Sequence, residues 1–201
     1  MLEAADLTCE RGGNLLFKNL SFRLADGNLL RIAGANGSGK TSLLRILAGL
    51  LEPAAGAVRW HGSPIRALRE EFARNLVYLG HAAAVKDELT AAENLSITCR
   101  LAGRVTPDSA VQEALARFAV PPDKQVRRLS QGQRRRAALA RLALSGGVPL
   151  WLLDEPFSAL DAEGIGLLKS LIVAHQGGGG AVVFSTHQDP GILATKVIDL
   201  G

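Results

Sequence analysis

Cysteine is nearly missing from this chain: its 201 residues hold Cys9 and Cys99 and no others. The two stand far apart in apolar settings, which excludes a disulfide framework and predicts two reduced, mostly buried thiols. Long apolar runs are missing too. The uncharged stretch Leu142–Leu153 is too short to cross a bilayer and is broken by Gly146, Gly147 and Pro149, so no membrane-spanning helix is expected. The beginning carries Glu3 and Asp6 where a secretory leader needs a basic end and an apolar core. A cytoplasmic chain is the expectation. Neither sign of charge dominates: 23 Lys+Arg against 19 Asp+Glu give +4. That balance suits a nucleotide, a nucleic acid or a lipid surface and selects none of them.

What is present is a chain 47% hydrophobic and 21% charged, long enough for one well-buried domain and unlike a disordered tail. Short apolar, β-rich runs alternate with helical periodicity, which predicts an α/β domain with a mainly parallel sheet. Leu15–Leu24 and Leu29–Ala33 flank Asp26, Gly27 and Asn28 and read as strand, tight turn, strand. With a further strand at Gly56–His61, they suggest an antiparallel layer at the N-terminal side. Later strands are expected at Leu76–Gly80, Leu150–Leu153, Ala181–Ser185 and Lys196–Leu200. Between the strands at Leu76 and Leu150 lie three helical patterns. Thr90 and Glu93 form a capping box opening the first, Pro107–Phe118 reads as the second, and Ser130 opens the third toward Leu144. The block at about 82–145 therefore reads as a helical subdomain inserted into a single domain spanning 1–201.

Chemistry enters at Gly34, Ala35, Asn36, Gly37, Ser38, Gly39, Lys40 and Thr41, which follow an apolar strand and precede a helix at Ser42–Leu50. This is G-x-x-x-x-G-K-[ST] in the context the motif requires. Its glycines let the backbone curl so that N–H groups face phosphate oxygens, with a helix N-terminus behind them. Lys40 would bridge the β- and γ-phosphates, and the Thr41 hydroxyl would sit on Mg²⁺.

A buried-type strand, Leu150–Leu153, then ends in Asp154 and Glu155. Ligands in parallel sheets sit at the C-terminal strand ends, so these acids should face the phosphate loop. Successive strand side chains point opposite ways, which argues for separate roles. Asp154 suits Mg²⁺, usually through water, and Glu155 suits polarising an attacking water. Alone, such a pair would as easily be a solvated end or a helix cap; the phosphate loop in the same chain gives it a function. Another strand ends in Ser185, Thr186 and His187, and His187 could bond the γ-phosphate and orient the water or Glu155. Ser130, Gly132 and Gln133 open a helix whose N-terminus is an anion site in its own right, ahead of Arg134, Arg135 and Arg136.

Taken together, these residues closely resemble the nucleotide-binding subunits of ATP-binding cassette (ABC) transporters. The likeness rests on the phosphate loop at Gly34, the Leu129–Gln133 signature, Leu153–Pro156, the loop Ser158–Asp161 and His187, and it covers nearly the whole chain. It implies a P-loop ATPase using ATP and Mg²⁺ as a head-to-tail dimer of two copies. Each copy's phosphate loop would be covered by the other's Ser130, Gly132 and Gln133, with Asp161 at the dimer loop. Two departures stand out. His81 replaces the Gln usual at the end of the Leu76 strand, where neutral imidazole could contact Mg²⁺ or the water. Arg11 stands where an aromatic residue usually stacks on adenine; a guanidinium plane can stack too, and Phe17 is a weaker candidate.

Within that family the chain resembles the compact subunits of the haem exporter of cytochrome c maturation. Gly80 with His81, Lys86 with Leu89–Leu95, and Leu150–Phe157 carry this narrower likeness. It implies a peripheral ATPase on the cytoplasmic face of the bacterial inner membrane, bound to separate membrane subunits, with haem involved only indirectly. The alternatives are another compact ABC transporter, or a soluble ABC ATPase of iron–sulfur assembly or nucleic acid. Nucleic acid is not expected as a partner, although Arg127, Arg128 and Arg134–Arg136 form a basic cluster.

Overall fold

Half-buried alternation in Leu2–Arg11 (β1) and Asn14–Leu24 (β2) builds an antiparallel ladder, Leu2 facing Leu24 and Arg11 facing Asn14, in the computed structural model, which describes residues 1–187 and 189–201. Ala55–Trp60 (β4) pairs with the other edge of β1, and the short Ser63–Pro64 (β5) closes the sheet in the order β2-β1-β4-β5. β1 is phase-shifted in its middle. Leu2 and Ala4 are buried, then Leu7 and Cys9. The extra residue, Asp6, adopts φ 51°, with its N–H donating to Ser21 Oγ at 2.8 Å and its Oδ1 accepting the Ser21 hydroxyl at 2.9 Å.

Gly56 lies opposite this bulge at φ +86°, and a Cβ there would stand 2.4 Å from the carbonyl oxygens of Ala5 and Asp6. Backbone cannot swing away as a flexible side chain can. Gly56→Ala is therefore expected to lower unfolding stability by about 3 kcal/mol, from left-handed strain plus overpacking. Chemical denaturation measures this, and a loss under about 1 kcal/mol would contradict the account.

Leu29–Ala33 (β3) does not pair with β2. It joins a second, wholly parallel sheet with Leu76–Leu79 (β6), Leu150–Leu153 (β7), Ala181–Ser185 (β8) and Lys196–Asp199 (β9), in the order β6-β7-β8-β3-β9. The strands and the tight turn at Asp26–Asn28 are as read from the sequence, but the turn passes the chain between sheets and closes no hairpin, which corrects the expectation that Leu29–Ala33 belongs to the antiparallel layer. The cause is burial: Leu29, Leu30 and Ile32 are fully covered, as a strand needing shelter on both faces must be. The Gly27 N–H accordingly donates to the Gly179 carbonyl, just ahead of β8, at 2.9 Å.

Lys40–Leu47 (α1) presses Leu43, Leu44, Ile46 and Leu47 into one apolar cluster with Leu2, Phe22 and Trp60 of the antiparallel sheet and Leu150, Leu152 and Val183 of the parallel one. Each such leucine stabilises the fold by about 2 kcal/mol relative to an exposed one. Ile65–Leu68 (α2) and Glu70–Arg74 (α3) lead into β6. Both sheets belong to one compact unit, Met1–His81 with Val148–Pro156 and Ala174–Gly201.

The second unit comprises Ala82–Gly147 and Phe157–Val173, wider than the 82–145 block read from the sequence. It holds Ala91–Leu101 (α4), Asp108–Arg117 (α5), Gln131–Leu139 (α6) and most of Ala162–Gly177 (α7). Thr90 caps α4, its Oγ1 accepting the Glu93 N–H at 3.1 Å while Glu93 Oε2 accepts the Thr90 N–H at 2.8 Å. α6 is α-helical only to Leu139 and tightens into 3₁₀ turns over Ala140–Leu144. Cys9 and Cys99 are both free and buried. Among the described residues no helix is long and apolar enough to cross a membrane.

Candidate functional site

Gly34–Thr41 leaves β3 at the edge where β6, β7 and β8 also end, because Leu79 pairs with Leu153, Leu153 with Phe184, and Ile32 with Ser185. The loop curls round its own lysine. Lys40 Nζ donates to the carbonyls of Gly34 and Ala35, each at 2.8 Å, and the side chain is 7% exposed. Gly39 caps α1 at φ 104°, and a Cβ there would meet Leu16 Cβ at 3.2 Å and Phe17 Cδ1 at 3.3 Å. No side chain caps this helix and no acid stands in its first turn, so its leading N–H groups keep their attraction for an anion. Ser38 Oγ is buried there with no hydrogen-bond partner. An unpaired buried hydroxyl beside free helix amides fits a phosphate group.

β7 delivers Asp154 on the face of the sheet that Leu150 and Leu152 bury with α1. Asp154 is fully buried, with Oδ2 accepting Thr41 Oγ1 at 2.8 Å and Oδ1 accepting Ser185 Oγ at 2.7 Å. Glu155 turns away at φ 46°, its N–H donating to Ser185 Oγ at 2.9 Å. Its Oε1 lies 3.9 Å from Lys40 Nζ and its Oε2 lies 3.1 Å from His187 Nδ1. A carboxylate only accepts, so this contact puts a proton on Nδ1 and leaves Nε2 for other partners. A cavity of about 390 Å³ opens over the loop, lined by Leu16, Gly39, Lys40, Thr41, His81 and Glu155 among others.

Among the described residues no three His, Cys, Asp or Glu side chains gather as a metal cage. Thr41 Oγ1 and Asp154 Oδ2 instead offer two hard oxygens, fitting a cation that takes its remaining ligands from water and phosphate. Arg11 is exposed at the end of β1 and is not among the residues lining the cavity, whereas Leu16 is. Phe17 is buried beside Gly39.

The second unit carries the signature residues. Ser130 and Gln133 form a reciprocal cap, Ser130 Oγ accepting the Gln133 N–H at 3.2 Å and Gln133 Oε1 accepting the Ser130 N–H at 3.1 Å. A Cβ on Gly132 would stand 3.3 Å from the Ala159 carbonyl oxygen, so α6 and the 158–161 loop touch closely here. Asp161 accepts the Gly164 N–H at 2.9 Å and pairs with Arg136. The Gly164 amide first, then the Arg136 guanidinium, hold its carboxyl below the usual carboxylate range. Part of the basic cluster is bound up within this unit: Arg134 bonds Asp87 at 2.9 Å, Arg127 bonds Gln125 at 3.1 Å and Arg135 is 5% exposed, while Arg127 and Arg128 remain exposed.

Ser185, beside both acids, and Leu16 and Ser42, which line the cavity, are given no site role by the sequence. A polar residue closing the apolar face of β8 was the available signal for Ser185.

The family model described as ABC transporter matches residues 17–158. The cytochrome c biogenesis ATP-binding export protein CcmA of Aromatoleum aromaticum is 51% identical over 100% of this chain and 95% of its own length. A putative ABC transporter ATP-binding protein of Pyrococcus furiosus shares the fold at a TM-score of 0.85 and 24% identity, over 99% of this chain and 96% of that one. A dimeric, post-hydrolysis ATP-binding cassette bound to ADP and Pi superposes at a TM-score of 0.78 with 25% identity, covering 94% of this chain and 88% of that one. With a phosphate loop, strand-end acids and a capped signature helix on one P-loop fold, the chain belongs to the ABC transporter family, among the ATP-binding proteins of the CcmA type, and is an ATPase.

Proposed function

We propose that this chain is the ATP-hydrolysing subunit of a membrane export complex in c-type cytochrome biogenesis, powering haem export or the release of haem from a haem chaperone. The observation that carries the catalytic part is the continuous set of contacts Thr41–Asp154–Ser185–Glu155–His187 around the Lys40 ammonium. Lys40 exchanges its two loop carbonyls for the β- and γ-phosphate oxygens of ATP. Thr41 and Asp154 are the residues that would hold Mg²⁺. When bound, Mg²⁺ would supply positive charge that offsets the charge of the phosphates. Glu155 polarises the attacking water, and His187 steadies the Glu155 carboxylate.

His81, which lines the cavity, takes over the polar contact usual for Gln at that strand end. Leu16 offers the base an apolar face, since Arg11 stands outside the cavity. Two copies bind head to tail, so that Ser130, Gly132, Gln133 and Asp161 of one complete the other's nucleotide site. The family tie and the dimeric cassette with ADP and Pi support that arrangement. Separate integral membrane subunits hold the pair at the cytoplasmic face of the bacterial inner membrane.

Isolation of the native complex tests the export reading. The chain is expected to leave the membrane only with detergent, together with integral membrane subunits and haem detectable by its Soret absorbance. Recovery from the soluble fraction with nucleic acid or iron–sulfur proteins instead would overturn it.

A further inference from the structure

We propose that Ser185 is a positioning residue that sets the geometry of both strand-end acids through a single hydroxyl. This rests on reading Asp154 as the metal-side acid and Glu155 as the water-side acid. β8 is otherwise wholly apolar: Ala181, Val182, Val183 and Phe184 precede Ser185, and all are buried. Ser185 continues the Ala181–Val183 face that packs on α1, and its own exposure is 0%. A hydroxyl in such a place is costly unless both its roles are used. Both are used. Its proton goes to Asp154 Oδ1 at 2.7 Å and a lone pair receives the Glu155 N–H at 2.9 Å.

The consequences differ for the two acids. Asp154 is gripped from two sides, by Ser185 on Oδ1 and Thr41 on Oδ2, so its carboxylate plane cannot turn. Glu155 adopts φ 46°, a left-handed conformation that non-glycine residues seldom take. An acceptor on its amide holds it there and so keeps its carboxylate between Lys40 and His187. Neither Lys40 nor the loop amides depend on Ser185, so nucleotide binding without metal should not feel its loss.

The experiment titrates Mg²⁺ against binding of a fluorescent ATP analogue to the purified chain, with metal-free affinity measured in EDTA. Ser185→Ala is expected to keep the EDTA affinity within about twofold and to need about tenfold more Mg²⁺ for the half-maximal change, the loss of one hydrogen bond to a charged group. Where ATP turnover is followed, kcat falls with KM unchanged. Ser185→Thr, which restores a hydroxyl, should return the Mg²⁺ midpoint to within about threefold of the native chain. Ser185→Cys, close in shape but a weak donor, should shift it in the same direction as Ser185→Ala and stands in if the alanine variant misfolds. Asp154→Asn separates the role of Ser185 from that of the metal-side acid. A Mg²⁺ midpoint moved by Asp154→Asn but not by Ser185→Ala or Ser185→Cys overturns the role of Ser185. A midpoint unmoved by Asp154→Asn overturns the metal assignment itself. Equal loss of metal-free binding and thermal stability in Ser185→Ala and Ser185→Thr would reduce Ser185 to packing and also overturn the proposal.

Discussion

Glu155→Gln is expected to bind ATP as the native chain does and to turn it over about a thousandfold more slowly, the middle of the range for losing a positioned general base. The substitution keeps size and shape, so the cavity and the phosphate loop stay as they are. An amide oxygen can still accept from His187 Nδ1, now 3.1 Å from Glu155 Oε2, and the backbone N–H can still reach Ser185 Oγ. What disappears is the negative oxygen that would draw a proton from water in the proposed mechanism. Lys40 Nζ lies 3.9 Å from Glu155 Oε1, and Gln at 155 would face the same ammonium without a charge of its own. Binding therefore survives and chemistry does not, which also predicts that ATP-bound dimers persist in the variant. Single-turnover phosphate release together with sedimentation in ATP checks both parts. Turnover within fivefold of the native rate would remove Glu155 from the role of base.

Why was so much of this edge legible and so little of the antiparallel sheet? A parallel strand buried on both faces announces itself as an unbroken apolar run, and it can be polar only where it ends. Asp154, Glu155, His81 and His187 each follow such a run, so one rule about strand ends brings them together. The glycines from Gly34 to Gly39 are equally constrained, because the curl round Lys40 needs backbone that few other residues allow. β1 gives no such signal. Its buried positions switch from Leu2 and Ala4 to Leu7 and Cys9 across Asp6, so neither an even nor an odd alternation runs its full length. The Asp26–Asn28 turn misleads for a related reason: a tight turn between two apolar runs looks the same whether they pair or part. Only the double-sided burial of Leu29–Ile32 decides that they part.

Ser185 and Arg11 mark the limit from opposite sides. The role of Ser185 depends on register, on Leu153 standing beside Phe184 so that the next residues meet, and a single sequence does not contain that alignment. Arg11 is matched to the base-stacking position by the family resemblance and by the flat guanidinium that could stack there. Its strand ends in an exposed Gly12–Gly13 turn, and the residue that reaches the loop comes from β2, at Leu16. Local sequence order carries capping boxes at Thr90 and Ser130 well, because their partners lie three residues on. It carries cross-strand hydrogen bonds poorly.

Lys40→Ala is expected to weaken ATP binding by about two orders of magnitude or more and to abolish measurable hydrolysis. The ammonium sits almost fully buried and donates to the Gly34 and Ala35 carbonyls at 2.8 Å each, so it already occupies the centre of the curl where phosphate must lie. Hydrogen bonds to charged groups contribute about 1.5–3 kcal/mol each, and the lysine would make them to two phosphate groups at once. Alanine leaves the loop carbonyls pointing at the phosphates with no cation between them, which turns attraction into repulsion. Lys40→Arg should not rescue, since a planar fork is too broad for a space shaped round a point charge. Equilibrium binding of ATP and phosphate release on the same preparations measure the effect. Affinity within threefold of the native chain would mean that the curl does not hold the phosphates. Set beside Glu155→Gln, the two variants divide the site into separable halves. One loses the substrate and with it everything after. The other keeps the substrate and loses only the proton acceptor. A glycine-rich turn with a nearby acidic strand end, lacking the contacts from Thr41 through Asp154 and Ser185 to Glu155, would give no reason for the two losses to differ.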